Sequence, residues 1–138
     1  MYIDKCLQLS SEQAETTVAA HASTNVIDMV VAGRSFPELY IVIDVHTACT
    51  SAGSATVAFT VQHDSAEAFD TAQTLASVGA TAIATLVAGY NVLTVRIPKG
   101  CLRYVRVLYT IGTAALTAGK FNAYLVETPQ LHNVNAPY

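Results

Sequence analysis

Tryptophan is absent from the 138 residues, and charged side chains make up only 12% of them. A soluble domain usually carries about twice that share of charge. A basic surplus is absent too. Seven Lys and Arg face ten Asp and Glu, for a net charge of −3, whereas nucleic-acid binders usually show basic excess. Disorder is excluded from the other direction, because it needs low hydrophobicity and high charge and 52% of this chain is hydrophobic. The chain is rich in Ala, Val and Thr, not in the Glu, Lys and Leu of a coiled coil. The three cysteines, Cys6, Cys49 and Cys101, are too few and too scattered for a disulfide framework. Cys49 and Cys101 adjoin apolar segments and are expected as buried free thiols.

Long apolar runs are also missing. The longest charge-free stretch, residues 71–95, contains Gln73, Gly79, Gly89, Asn91 and several Thr and Ser. A spanning helix needs about 20 predominantly apolar residues, so no membrane partner is expected. The start, Met1-Tyr2-Ile3-Asp4-Lys5-Cys6, lacks the basic and apolar blocks of a secretion signal. Synthesis in a cytoplasm is expected.

What is present is strand periodicity. Residues 39–47 alternate, with Leu39, Ile41, Ile43 and Val45 on one face and Glu38, Tyr40, Val42, Asp44 and His46 on the other. Residues 55–63 place Val57, Phe59 and Val61 inward, and a polar cluster at 51–54 predicts that these two strands form an antiparallel pair. Further strands are expected at 26–31, 73–78, 82–87, 92–97, 103–111 and 121–128. Gly79 and Pro98-Lys99-Gly100 read as turns. In 103–111, Val105, Val107, Tyr109 and Ile111 share a side. Residues 1–25 read as a mostly irregular arm, with a short helix start at Ser10 as one option. Residues 129–138 read as a tail. The fold expected is all-β: one domain over 1–138, an antiparallel jelly-roll sandwich of about eight strands with an extended N-terminal arm. An immunoglobulin-like sandwich is the close alternative, but its Cys–Trp–Cys signature is missing.

Few residues point to chemistry. His46 and Cys49 have half the spacing of a zinc site, without a second half nearby. Asp44 and His46 share a strand face, but no Ser has the setting of an activated nucleophile. Asp64, Glu67 and Asp70 lack a calcium loop and read as an acidic exposed loop. Arg96, Lys99, Arg103 and Arg106 cluster with Tyr104 and Tyr109. Odd and even positions would send Arg103 and Arg106 to opposite faces, so no single basic face forms and no nucleic-acid partner is expected. Nine of the ten acids precede residue 71, an asymmetry that suits docking or self-association. No catalytic residue, metal site or cofactor is expected.

Several blocks carry a resemblance. They are Met1-Tyr2-Ile3-Asp4-Lys5 with Leu7 and Leu9, Ser23-Thr24-Asn25-Val26-Ile27-Asp28, Gly33-Arg34 leading to Leu39, Ile97-Pro98-Lys99-Gly100, Arg103 through Gly112, and Ala118-Gly119-Lys120-Phe121 through Val126. In order and total length the chain resembles the capsid cement, or decoration, proteins of tailed bacteriophages, whose type example belongs to a Bordetella podovirus. The resemblance implies a non-catalytic jelly-roll subunit on the capsid exterior of a virion. It would clamp major capsid proteins and associate as a homo-oligomer, a dimer ahead of a trimer. Tyr2, Ile3, Lys5, Arg34 and Phe36, on the arm and the loop after residue 31, are the expected contacts with capsid or subunit. The alternatives are a carbohydrate-binding jelly-roll module, disfavoured by the lack of Trp, and a cupin-like enzyme in which His46 and His63 would meet across adjacent strands.

Overall fold

The computed structural model describes residues 7–29, 39–98 and 100–126. Nine strands account for its regular structure: β1 (Gln8–Ala14), β2 (Ala20–Ala22), β3 (Ile27–Asp28), β4 (Tyr40–Thr50), β5 (Thr56–Asp64), β6 (Gln73–Ala82), β7 (Asn91–Arg96), β8 (Tyr104–Gly112) and β9 (Ala118–Val126). All pair antiparallel in two sheets. One has the order β1-β9-β4-β7, the other β2-β8-β5-β6, with β3 also on β8. Apart from the β2–β3 link and the β5–β6 hairpin, each connection passes from one sheet to the other. That order is the double Greek key of a jelly roll.

Period-two alternation builds the core. Ile41, Ile43 and Val45 of β4 point inward from the first sheet, and Phe121, Ala123 and Leu125 of β9 join them. Val57, Phe59 and Val61 of β5, with Val105, Val107, Tyr109 and Ile111 of β8, face them from the second sheet. At the centre Phe121 stacks on Tyr109, with ring centroids 5.2 Å apart, and meets Phe59 edge-on at 5.3 Å. Phe59 meets Tyr109 edge-on at 5.8 Å. Aromatic pairs of this kind add about 0.5–1.5 kcal/mol each beyond burial, so this trio is a principal tie between the sheets. Cys49 and Cys101 fill the core as free thiols, and burial pushes both up to about 11.

Four expectations change. First, β4 and β5 are not a hairpin: β4 lies between β9 and β7, and β5 between β8 and β6. Period two tells which face a residue occupies, not which strand lies beside it. The loop between them is a corner at the end of the sandwich, tied to the β8–β9 loop by Ser51 Oγ donating to Ala115 O at 2.7 Å. A Cβ on Gly53 would meet Ala114 Cβ at 2.9 Å. Second, Gly79 does not end a strand. β6 runs through it with irregular register on β5, and residues 83–90 form turns where a strand was expected. The glycine that turns the chain is Gly89, at φ +86°. Leu86, fully buried, anchors this turn region.

Third, the segment read as irregular contains β1 and β2. Ser10 caps no helix. It is buried within β1, which follows β9 with two register shifts and a left-handed Glu12 at φ 48°. The shifts break the alternation that would have marked the strand. Fourth, β9 starts at Ala118 rather than 121.

Candidate interaction surfaces

Among the described residues, none form a group of three or more His, Cys, Asp or Glu able to hold a metal ion. His46 and His63 do not meet, because β4 and β5 belong to different sheets. His63 is nearly buried, and its Nδ1 accepts a hydrogen bond from the Leu102 amide at 2.9 Å. His46 instead lies 3.1 Å from Glu12 of β1, reaching across β9.

The outer face of the first sheet combines a polar group with a covered apolar one. Tyr124 donates to Asp44 Oδ2 at 3.3 Å, and Asn122 accepts from the Glu12 amide at 2.7 Å. Burial raises the Asp44 pKa, an effect that hydrogen bonds from Asn122 and Tyr124 and the nearby His46 only partly offset. Burial, together with Asp44, pushes the Tyr124 phenol up to about 12. Val42, assigned above to the polar face, is buried there with Tyr124 and Val126, and Tyr40 packs against them. Tyr124 is therefore not an exposed platform of the kind a glycan site needs.

The outer face of the second sheet holds the arginines. Arg103 precedes β8, so strand alternation does not govern it. Its guanidinium grips both Asp28 oxygens, at 2.7 and 2.9 Å, and lies 5.1 Å from the Tyr104 ring centroid. Arg106 donates to Gln62 at 2.8 Å and lies over Phe69. Both arginines thus share this face, contrary to the opposite faces expected. Each is already engaged within the fold. Arg96, on β7, belongs to the other sheet.

Asp64 departs from the solvated acidic loop expected. It is buried at the end of β5. Its carboxylate accepts from the amides of Ser65, Ala66 and Thr71, at 2.5, 3.2 and 2.8 Å, and from the Thr71 hydroxyl. Desolvation works to raise its pKa, but the hydrogen bonds from Thr71, Ala66 and Ser65 outweigh it and hold the carboxyl below its ordinary value. Asp64 therefore organises the 65–72 loop. Glu67 and Asp70 remain exposed.

At the β1–β2 corner a hydrogen-bonded chain runs from core to surface. The buried Tyr109 hydroxyl donates to Ser10 Oγ at 2.8 Å, and Ser10 donates to Gln13 Oε1 at 2.6 Å. Gln13 Nε2 donates to Glu15 and to Ala22 O. Glu15 in turn contacts His21 Nδ1 at 3.1 Å. This arrangement fastens β1 to β2 and to the core. Sequence reasoning missed it because its members are isolated polar residues with no shared spacing.

A family model, Bbp16, matches residues 9–125. The chain belongs to the Bbp16 family. The match begins at the first fully buried residue of β1 and ends one residue before the end of β9, so it covers the whole sandwich. The name of the Bbp16 family points to a Bordetella phage protein, which fits a phage protein with this β-sandwich. No curated protein matches the chain. Tyr2, Ile3, Lys5, Arg34 and Phe36 lie outside the described residues. Among the described residues, no helix is long and apolar enough to cross a membrane.

Proposed function

We propose that this Bbp16-family chain is a structural virion protein. It binds the outer surface of a tailed-phage capsid and cements contacts between major capsid proteins, without catalysis. The observation that carries this reading is the family match across the whole sandwich, joined to the resemblance of its ordered sequence blocks to cement proteins. The partners are the major capsid protein and a second copy of the chain, a dimer ahead of a trimer. The chain is made in the bacterial cytoplasm and ends on the capsid exterior.

The physical chemistry suits that role. A cement protein stabilises the assembled shell by mass action, with about 2.7 kcal/mol per site at a hundredfold excess over Kd. Interface cores are depleted of charge, and this chain has little charge to hide. Tyr2, Ile3 and Lys5 offer an arm able to add to a neighbour's sheet edge, and Arg34 and Phe36 a second contact.

The test adds purified protein to expanded capsids that lack it and follows thermal disruption of the shell. The reading predicts saturable binding and a higher disruption temperature, both weakened by Tyr2→Ala with Ile3→Ala. Intact capsids that neither bind the protein nor gain stability would rule the reading out.

A further inference from the structure

The two outer faces of the sandwich are unequal. On the first sheet the centre is already covered or charged: Val42, Tyr124 and Val126 are buried, and Glu12 pairs with His46 beside Asp44. On the second sheet the outward side chains stay half-exposed from Thr56 to Gln62 on β5 and throughout β8. One row crosses β2, β8, β5 and β6, with Ala22, Leu108, Thr60 and Ser77 as successive partners. Thr60 and Leu108 point outward because their chain neighbours Phe59, Val61, Val107 and Tyr109 belong to the core. The next row holds Arg106, Gln62 and Thr74. Arg106 is the single charge in the two rows.

Arg106 is held in place but not neutralised. Its Nε donates to Gln62 Oε1 at 2.8 Å, and its guanidinium lies 4.3 Å from the Phe69 ring centroid. Neither contact is a carboxylate, and among the described residues none pairs with Arg106. Its Nη groups likewise have no acceptor there. Phe69 is nearly buried at φ 55°, a left-handed conformation that a bulky residue adopts only where its surroundings impose it. Asp64 imposes it, by gathering the amides of Ser65, Ala66 and Thr71 around its carboxylate. Loop, ring and Gln62 together fix one guanidinium with its Nη edge unused. Arg103 differs, because Asp28 already occupies its fork.

We propose that the outer face of the second sheet lies on the capsid shell, with Arg106 receiving a carboxylate of the major capsid protein. This rests on the cement role proposed above and names its surface. Charge selects the group on the partner. An arginine fork binds a carboxylate through two parallel hydrogen bonds, and the Nη edge of Arg106 is placed for them. Ordering a long side chain normally opposes association, and here the 65–72 loop has ordered it beforehand. Arginine is also enriched among the few residues that dominate interfaces. The small side chains of the adjoining row allow close approach, and the lack of other charge suits an interface core. A second copy laid on this face about a two-fold axis would bring arginine towards arginine. The rows around Arg106 hold no carboxylate to receive it.

The experiment is co-sedimentation of the full chain with expanded capsids that lack it, with circular dichroism to confirm folding. Wild type is expected to bind saturably. Arg106→Ala should raise the apparent Kd by about thirtyfold, and Arg106→Glu by more, because it sets like charges together. Arg106→Lys should recover only part of the loss, since an ammonium lacks the fork. Thr60→Lys leaves Arg106 and its supports intact and should also weaken binding, so the test holds even if an Arg106 variant does not fold. A folded Arg106→Glu or Thr60→Lys variant that binds capsids like wild type overturns the proposal and leaves the cement role standing. So does a variant that alters only self-association, measured by sedimentation without capsids. Wild type that fails to bind intact capsids refutes the cement role and this surface with it.

Discussion

Removing the Tyr109 hydroxyl tests whether β1 is fastened to the core by a single buried hydrogen bond. Tyr109 and Ser10 are both fully buried, and the hydroxyl donates across 2.8 Å. Tyr109→Phe deletes the donor and leaves Ser10 with an unmet lone pair, at a cost of about 1–3 kcal/mol. Ser10→Ala leaves the buried phenol without its acceptor, at a similar cost of about 1–3 kcal/mol. Gln13 does not add to that second loss, because its Oε1 keeps the Thr24 amide at 2.8 Å and the Thr24 hydroxyl at 3.0 Å. The double variant removes both partners together and leaves nothing unmet. It should therefore cost about as much as one single change, giving a coupling of about 1–3 kcal/mol. Urea unfolding of the four proteins, followed by far-ultraviolet circular dichroism, measures this directly. Single-variant losses that add within about 0.5 kcal/mol would refute the reasoning.

Other parts of the fold respond in distinct ways. Phe121→Ala removes the first sheet's member of the aromatic trio and should cost about 3–5 kcal/mol in thermal or urea unfolding; a loss under about 1 kcal/mol would show that the trio does not tie the sheets together. The Asp64 carboxyl titrates below its ordinary value of 3.8 in the folded chain. Its stabilisation is thus present above that value and lost as pH falls through the lower folded pKa. Asp64→Asn should flatten the acid limb of stability against pH, and an unchanged slope contradicts this role. Cys49 and Cys101, both pushed up to about 11 by burial, hold only about 0.1% thiolate at pH 8. Two thiols per chain should react with a disulfide reagent only on unfolding, and prompt reaction of all three in the native protein would count against their burial.

Much of the core was legible in the sequence. β5 and β8 alternate because each buries one face, and their inward residues are those the period selected; β4 keeps Ile41, Ile43 and Val45 inward but also buries Val42 on its outer face. Sheet membership was not legible. Ile41, Ile43 and Val45 would face a core equally well beside β5 or beside β9, and only the three-dimensional closure decides. β1 was hidden by Ser11, Glu12 and Gln13, whose polarity reflects an edge strand with shifted register. Asp64 looked like one of three surface acids, yet five hydrogen-bond donors, from Ser65, Ala66 and Thr71, converge on it once the chain turns. The charge-free stretch 71–95 was visible at once, but only the topology shows that it holds β6 and all of β7 except Arg96, outer strands of the two sheets. Tyr2, Ile3, Lys5, Arg34 and Phe36 lie outside the described residues, and the contact assigned to them rests on their place in the expected arm and loop of the sequence.

A density map of the intact virion tests the central claim most directly. The account predicts this jelly roll on the outer surface of the capsid, touching at least two major capsid proteins and repeating with the symmetry of the shell. A virion whose outer surface lacks the chain, or in which it lies inside the shell or in the tail, would contradict it.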